Sequence, residues 1–118
     1  HTLNTMQYMK NKTDTGNDAE QLVINLFMSR DYIILGQKIK NKFGEIDILC
    51  YKNNIYYIIE VKYRSDLNIL FYSIDENKKQ RCLNAFYEFC NKNNQQFTDY
   101  KLIGAFVDIE QKVKLIYL

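Results

Sequence analysis

Gly44-Glu-Ile-Asp-Ile-Leu-Cys-Tyr-Lys-Asn-Asn-Ile-Tyr-Tyr-Ile-Ile-Glu-Val-Lys-Tyr-Arg64 is the stretch on which the fold turns. β-branched and aromatic residues crowd both of its halves, as in strands. Between the halves stands Asn53-Asn54. Asn tolerates φ > 0, so the pair predicts a two-residue type I′ hairpin turn. That turn sets Lys52 opposite Ile55, Asp47 opposite Glu60 and Glu45 opposite Lys62. Side chains alternate between the faces of a strand. One face of the hairpin then carries Ile46, Ile48, Cys50, Tyr57, Ile59, Val61 and Tyr63. The other carries Glu45, Asp47, Glu60 and Lys62 at one end, and Leu49, Tyr51, Tyr56 and Ile58 at the other.

Directly opposed carboxylates repel and weaken a hairpin. A divalent cation resolves the repulsion between Asp47 and Glu60. Mg²⁺ takes oxygen ligands, usually one or two carboxylates with waters and a substrate phosphate. A metal-bound water is a nucleophile, and the ion offsets charge on phosphate oxygens. Lys62, on the same face as Glu60, is placed to orient that water or to meet the phosphate. On spacing alone a solvated ion-pair cluster, each pair worth about 0–1 kcal/mol, carries equal weight.

Outward from the hairpin the chain reads α-β-β-β-α-β-β. Residues 1–14 are polar and without periodicity and read as a flexible arm, leaving 15–118 as one domain with no repeat and no Pro. A first helix is expected from Thr15, where Thr15 and Asp18 resemble a capping box. Ala19, Leu22, Val23, Leu26 and Phe27 form its apolar stripe, with Glu20 at the margin. Tyr32–Lys40 reads as a strand and Ser65–Tyr72 as a loop. Ser73-Ile-Asp-Glu76 is a capping-box pattern that predicts the start of a second helix, with Cys82, Leu83, Phe86, Phe89 and Cys90 on its buried face. Lys101–Ile109 and Lys112–Tyr117 read as two final strands around a tight turn at Glu110-Gln111. The expected class is α/β with a mixed central sheet.

Composition removes whole classes of chemistry. The chain has 118 residues, with 16 Lys+Arg against 14 Asp+Glu, and 47% of it is hydrophobic. Its one histidine is His1, so chemistry that needs a placed imidazole is excluded, from Ser-His-Asp hydrolases to histidine-based ribonucleases. No GxxxxGK[ST] or GxGxxG occurs. Catalysis falls to carboxylates, Lys, Tyr or a hard metal ion. Cys50, Cys82 and Cys90 show no CxxC spacing and read as small hydrophobes in a reducing compartment. No run approaches the roughly 18 apolar residues of a membrane span, and no signal-peptide core stands at the N-terminus. The expected location is cytoplasmic, with no membrane partner.

Asp47 followed thirteen positions on by Glu60-Val61-Lys62 resembles the PD-(D/E)XK nuclease signature, whose superfamily has an α-β-β-β-α-β, restriction-endonuclease-like core. The resemblance narrows further. Thr15-Gly16 with Glu20, Gly44-Glu45-Ile46-Asp47-Ile48-Leu49, Glu60-Val61-Lys62-Tyr63-Arg64, and Ser73 followed by Lys78 resemble the YraN-like family of small bacterial proteins, itself similar to archaeal Holliday-junction resolvases. The resemblance covers the chain from about Thr15 onward. It implies Asp47, Glu60, Glu20 and the Val61 carbonyl as ligands of Mg²⁺ or Mn²⁺, and Asp47, Glu60, Lys62 and Glu20 as the catalytic set. It implies Lys78 as a phosphate contact. Lys40, Lys42 and Arg64 belong with Lys78 to a basic rim suited to nucleic acid. The chain departs from the family at Tyr100-Lys101-Leu102, where Arg-x-Asp is common, and Ile46 replaces the Pro of the signature.

The expected function is a Mg²⁺-dependent endonuclease cutting DNA phosphodiester bonds, with branched or structured DNA among its substrates. Resolvase-like relatives act as dimers, so a homodimer is the assembly implied. Two alternatives remain open: a non-catalytic nucleic-acid-binding module on a nuclease fold, and a nuclease toxin domain.

Overall fold

A computed structural model describes residues 12–64 (side chains from residue 16 onward), 74–96 and 99–118. The elements are α1 (Lys12–Ser29), β1 (Ile33–Asn41), β2 (Gly44–Lys52), β3 (Ile55–Tyr63), α2 (Glu76–Lys92), β4 (Tyr100–Val107) and β5 (Val113–Tyr117). The five strands form one sheet in the order β1-β2-β3-β4-β5. Every neighbouring pair is antiparallel except β3–β4, which is parallel and bridged by the crossover that contains α2. This is the restriction-endonuclease-like α/β architecture expected.

One helix covers each face of the sheet. Ala19, Val23 and Phe27 of α1 bury against Ile48, Cys50, Ile59, Ala105 and Val107. Cys82, Ala85, Phe86 and Cys90 of α2 bury against Leu49, Tyr56, Ile58 and Leu102. Strand β3 is apolar on both faces because both faces are covered. No described helix is long and apolar enough to cross a membrane.

The hairpin turn forms as predicted. Asn53 and Asn54 take φ 53° and 66°, the left-handed pair of a type I′ turn. The β2–β3 register runs from Lys52↔Ile55 to Ile48↔Ile59 and stops there. The expected pairs Asp47/Glu60 and Glu45/Lys62 therefore do not form. On its other side β2 pairs Gln37↔Ile48, Ile39↔Ile46 and Lys40↔Glu45. Lys38 and Asp47 stand between the first two of these pairs, and Lys38 has φ 51°. A left-handed residue interrupts the alternation of a strand. Past this level Ile46 and Ile39 pack under α2. Ile46 was expected to share the face of Ile48 and Cys50, and it does not.

Three local expectations also give way. Helix α1 starts at Lys12, so Thr15 lies inside it and residues 12–14 belong to the helix; the rest of the proposed arm, residues 1–11, lies outside the described residues, as do the Ser65–Tyr72 loop and Ser73. The cap of α2 is Asp75, whose carboxylate accepts from Asn77 N at 2.9 Å. The β4–β5 turn is wider than Glu110-Gln111. Asp108 organises it by accepting from Glu110 N and Lys112 N, with Gln111 at φ 64°.

Candidate metal and phosphate site

Beyond Ile48 the sheet forks, with the start of β2 on one prong and the end of β3 on the other. Even-numbered residues of β3 direct their amides at β4: Tyr56 N donates to Asp99 O and Arg64 N to Val107 O. Odd-numbered ones face β2, so the N–H and C=O of Val61 point into the fork. The Asp47 carboxylate fills the place of the missing strand partner. Its Oδ2 accepts from Val61 N at 2.8 Å. Asp47 thus lies in the plane of the sheet, within electrostatic reach of both helical layers.

From the α2 side, Glu60 enters 1% exposed, the one charged or polar residue buried among those described. Cys82 donates its thiol to Glu60 Oε1 at 3.0 Å and stands 3.6 Å from Glu45 O. Lys78 Nζ lies 3.5 Å from Oε2, close enough for an ion pair, while Oε2 is buried without a hydrogen bond. Burial, then the Asp47 charge, push the Glu60 carboxyl up to about 7, against the pull of Cys82 and Lys78.

Lys62 follows Glu60 on the same face, half-buried beside Lys78. Burial pushes its pKa down and the neighbouring Lys78 ammonium adds to that, with Glu60 opposing. For Lys78 burial acts in the same direction, but the Glu60 and Asp47 carboxylates outweigh it and hold the ammonium above its ordinary value. Two lysines side by side thus differ. The acids raise the pKa of Lys78, whereas burial and the Lys78 charge lower that of Lys62.

From the α1 side comes Glu20. Burial and then Asp47 raise its pKa, opposed by a hydrogen bond from Gln37 and the charge of Lys38. Its Oε1 is buried without a hydrogen bond. Asp47 therefore couples to Glu20 on one side and to Glu60 on the other. Among the described residues, no three His, Cys, Asp or Glu side chains converge as a ready-made metal cage.

The remaining expected residues stand outside this knot. Lys40 lies exposed on β1 opposite Glu45, and Lys42 sits on the β1–β2 tip with its Nζ 5.1 Å from the Phe43 ring centroid. Arg64 follows β3 and donates from Nη1 to Tyr63 O at 2.9 Å. Lys78 is drawn inward to Glu60 instead of standing on the rim with these three. Sequence reasoning treated Cys82 as core packing and missed its contact with Glu60. The available signal was its place one helical turn after Lys78, on the same face. Gln37 was also missed, and only the irregularity of β1 brings it to Glu20.

The family model described as "Uncharacterised protein family UPF0102" matches residues 19–109. A UPF0102 protein of Fusobacterium nucleatum is 32% identical over 94 residues, covering 78% of this chain and 77% of that protein. One from Sulfurimonas denitrificans is 28% identical over 78 residues, 66% of this chain and 72% of that protein. A third, from Clostridium beijerinckii, is 44% identical over 55 residues, 47% of this chain and 45% of that protein.

Proposed function

The chain belongs to the uncharacterised protein family UPF0102, the YraN-like family, and from that premise we propose that it is a divalent-metal-dependent endonuclease that hydrolyses nucleic-acid phosphodiester bonds. One observation carries the reading. Glu20 Oε1 is buried without a hydrogen bond, and Glu60 Oε2, across Asp47 from it, is buried with only the Lys78 ammonium at 3.5 Å. Buried polar atoms are nearly always paired, and those that are not call for a ligand or a catalytic role.

The donor set fits Mg²⁺ or Mn²⁺. Asp47, Glu60 and the Val61 carbonyl in the fork are hard oxygen ligands, and so few protein ligands leave room for the waters Mg²⁺ keeps. Bound there, the ion would neutralise phosphate charge and acidify a water. Glu20, on the far side of Asp47, would hold a water at the margin of the site. Lys62, half-buried on the Glu60 face, is placed to orient the attacking water. The Lys78 ammonium meets a phosphate oxygen, and Lys40, Lys42 and Arg64 hold the flanking backbone.

The test is a cleavage assay on linear, branched and single-stranded DNA and on RNA, with Mg²⁺, Mn²⁺ or EDTA. Asp47→Ala, Glu60→Ala and Lys62→Ala are each expected to abolish most cleavage while nucleic-acid binding persists. Wild type that binds with steep salt dependence yet cuts nothing with either metal would replace this reading with that of a binding module.

A further inference from the structure

The tip of the β1–β2 hairpin is locked in place, yet it turns an aromatic ring outward. Asn41 straps it down: Nδ2 donates to Ala85 O at 3.1 Å, and Oδ1 accepts from Phe43 N at 3.0 Å. Gly44 then presses on α2, where a Cβ would stand 2.9 Å from the Arg81 carbonyl oxygen. Backbone oxygen cannot yield as a flexible side chain would, so only glycine allows this approach. Phe43, fixed between these two anchors, belongs to neither buried cluster and is 41% exposed. Lys42 Nζ stands 5.1 Å from the ring centroid, and the exposed Lys40 and Arg81 lie, respectively, three residues before it on β1 and on α2 against Gly44.

The tip leads directly into the fork. Phe43 is four residues from Asp47, about 13 Å of strand at the usual rise. Arg81, against which Gly44 packs, precedes Cys82, whose thiol reaches Glu60. On the opposite prong β3 ends in a second aromatic–basic pair, Tyr63 (36% exposed) and Arg64.

We infer that Phe43 is a stacking platform for an unpaired nucleobase about two nucleotides from the phosphate that is cut. The substrate class is then nucleic acid with a single-stranded segment at the cleavage point, such as a flap, gap or branch. The inference rests on the nuclease reading and adds its substrate class. A phenyl ring has no group that reads a base edge, whereas every base offers a π-face once it leaves the duplex stack. Bases inside a continuous duplex are already stacked on each other. The fixed backbone of the tip means that little ordering remains when a base arrives. Lys40, Lys42 and Arg81 meet the phosphates on either side of that base.

Binding measured in EDTA separates recognition from chemistry. Fluorescence anisotropy would use labelled oligo-dT, oligo-U and a matched DNA duplex with the full chain. Phe43→Ala is expected to weaken single-strand binding about tenfold and leave duplex binding within about twofold. The chain has no Trp, so Phe43→Trp introduces a sole reporter, and single strands should quench its emission while duplex does not. Quenching by either oligonucleotide supports the inference, and the stronger of the two identifies the preferred sugar. Equal loss on single strand and duplex, no loss at all, or unquenched emission would overturn it. Wild type that binds none of the three ligands would instead sink the nuclease reading and the inference with it.

Discussion

Burial and charge leave Glu60 with a carboxyl that prefers its proton in the folded protein. Its pKa rises from an ordinary 4.5 to about 7, first through burial and then through Asp47. A carboxyl raised on folding contributes stability that is complete below 4.5 and lost as pH rises through 7. Wild type should therefore weaken across that window. Glu60→Gln is neutral throughout and keeps an acceptor for the Cys82 thiol. It should be more stable than wild type above pH 7, by on the order of 3 kcal/mol, with the gap closing toward pH 4.5. Urea midpoints at pH 5, 6, 7 and 8 check this, and parallel curves for the two proteins would contradict it. The sequence placed Asp47, Glu60 and Lys62 at one end of the hairpin, but as directly opposed carboxylates, and the register stops at Ile48↔Ile59 before that pair. Cys82 was not legible, since its role exists only where α2 crosses β3.

At the scale of elements, Asp47 acts as a lock between β2 and β3 as well as an acid. Asp47→Asn keeps an oxygen for Val61 N and removes the charge. Asp47→Ala leaves that N–H without its partner, at a cost of about 1–3 kcal/mol. Denaturation should thus rank Asn close to wild type and Ala below it, while calorimetry should show both variants impaired in Mg²⁺ binding. Equal destabilisation of the two would mean the Val61 bond does not hold the fork. The fork also marks where sequence reasoning stopped. Asn53-Asn54 is a local signal, and its register holds as far as Ile48↔Ile59. Nothing local announces a left-handed Lys38 or a side chain standing in for a strand partner. Both depend on α1 and α2 gripping opposite faces of β2, with Lys38 Nζ donating to Asn17 Oδ1 on α1. Helix caps failed in the same way. Thr15 and Asp18 satisfy the capping pattern, but the helix already runs from Lys12. At α2 the cap is Asp75, whose carboxylate reaches Asn77 N directly.

Across the whole molecule, 16 basic against 14 acidic side chains leave a net charge of only +2, so the nucleic-acid binding proposed above would depend on where the cations stand. Replacing Lys40, Lys42 and Lys78 with Ala together should weaken DNA binding. It should also flatten the log-affinity against log-salt line by about 0.9 for each duplex phosphate that the chain no longer neutralises. An unchanged slope would make these lysines ordinary surface. The bend in β1 reaches beyond the site. Among the described residues this strand is one of the two edges of the sheet, and its register shifts between Ile34 and Gly36 before Lys38 turns left-handed. A straight apolar edge is a template on which further chains add and aggregate. Kinked twice and studded with Lys38 and Lys40, β1 cannot serve as that template. The same distortion that turns Asp47 toward Val61 guards a chain rich in Ile and Tyr against fibrillar self-association along that edge, and leaves the short β5 as the edge where a second strand could pair.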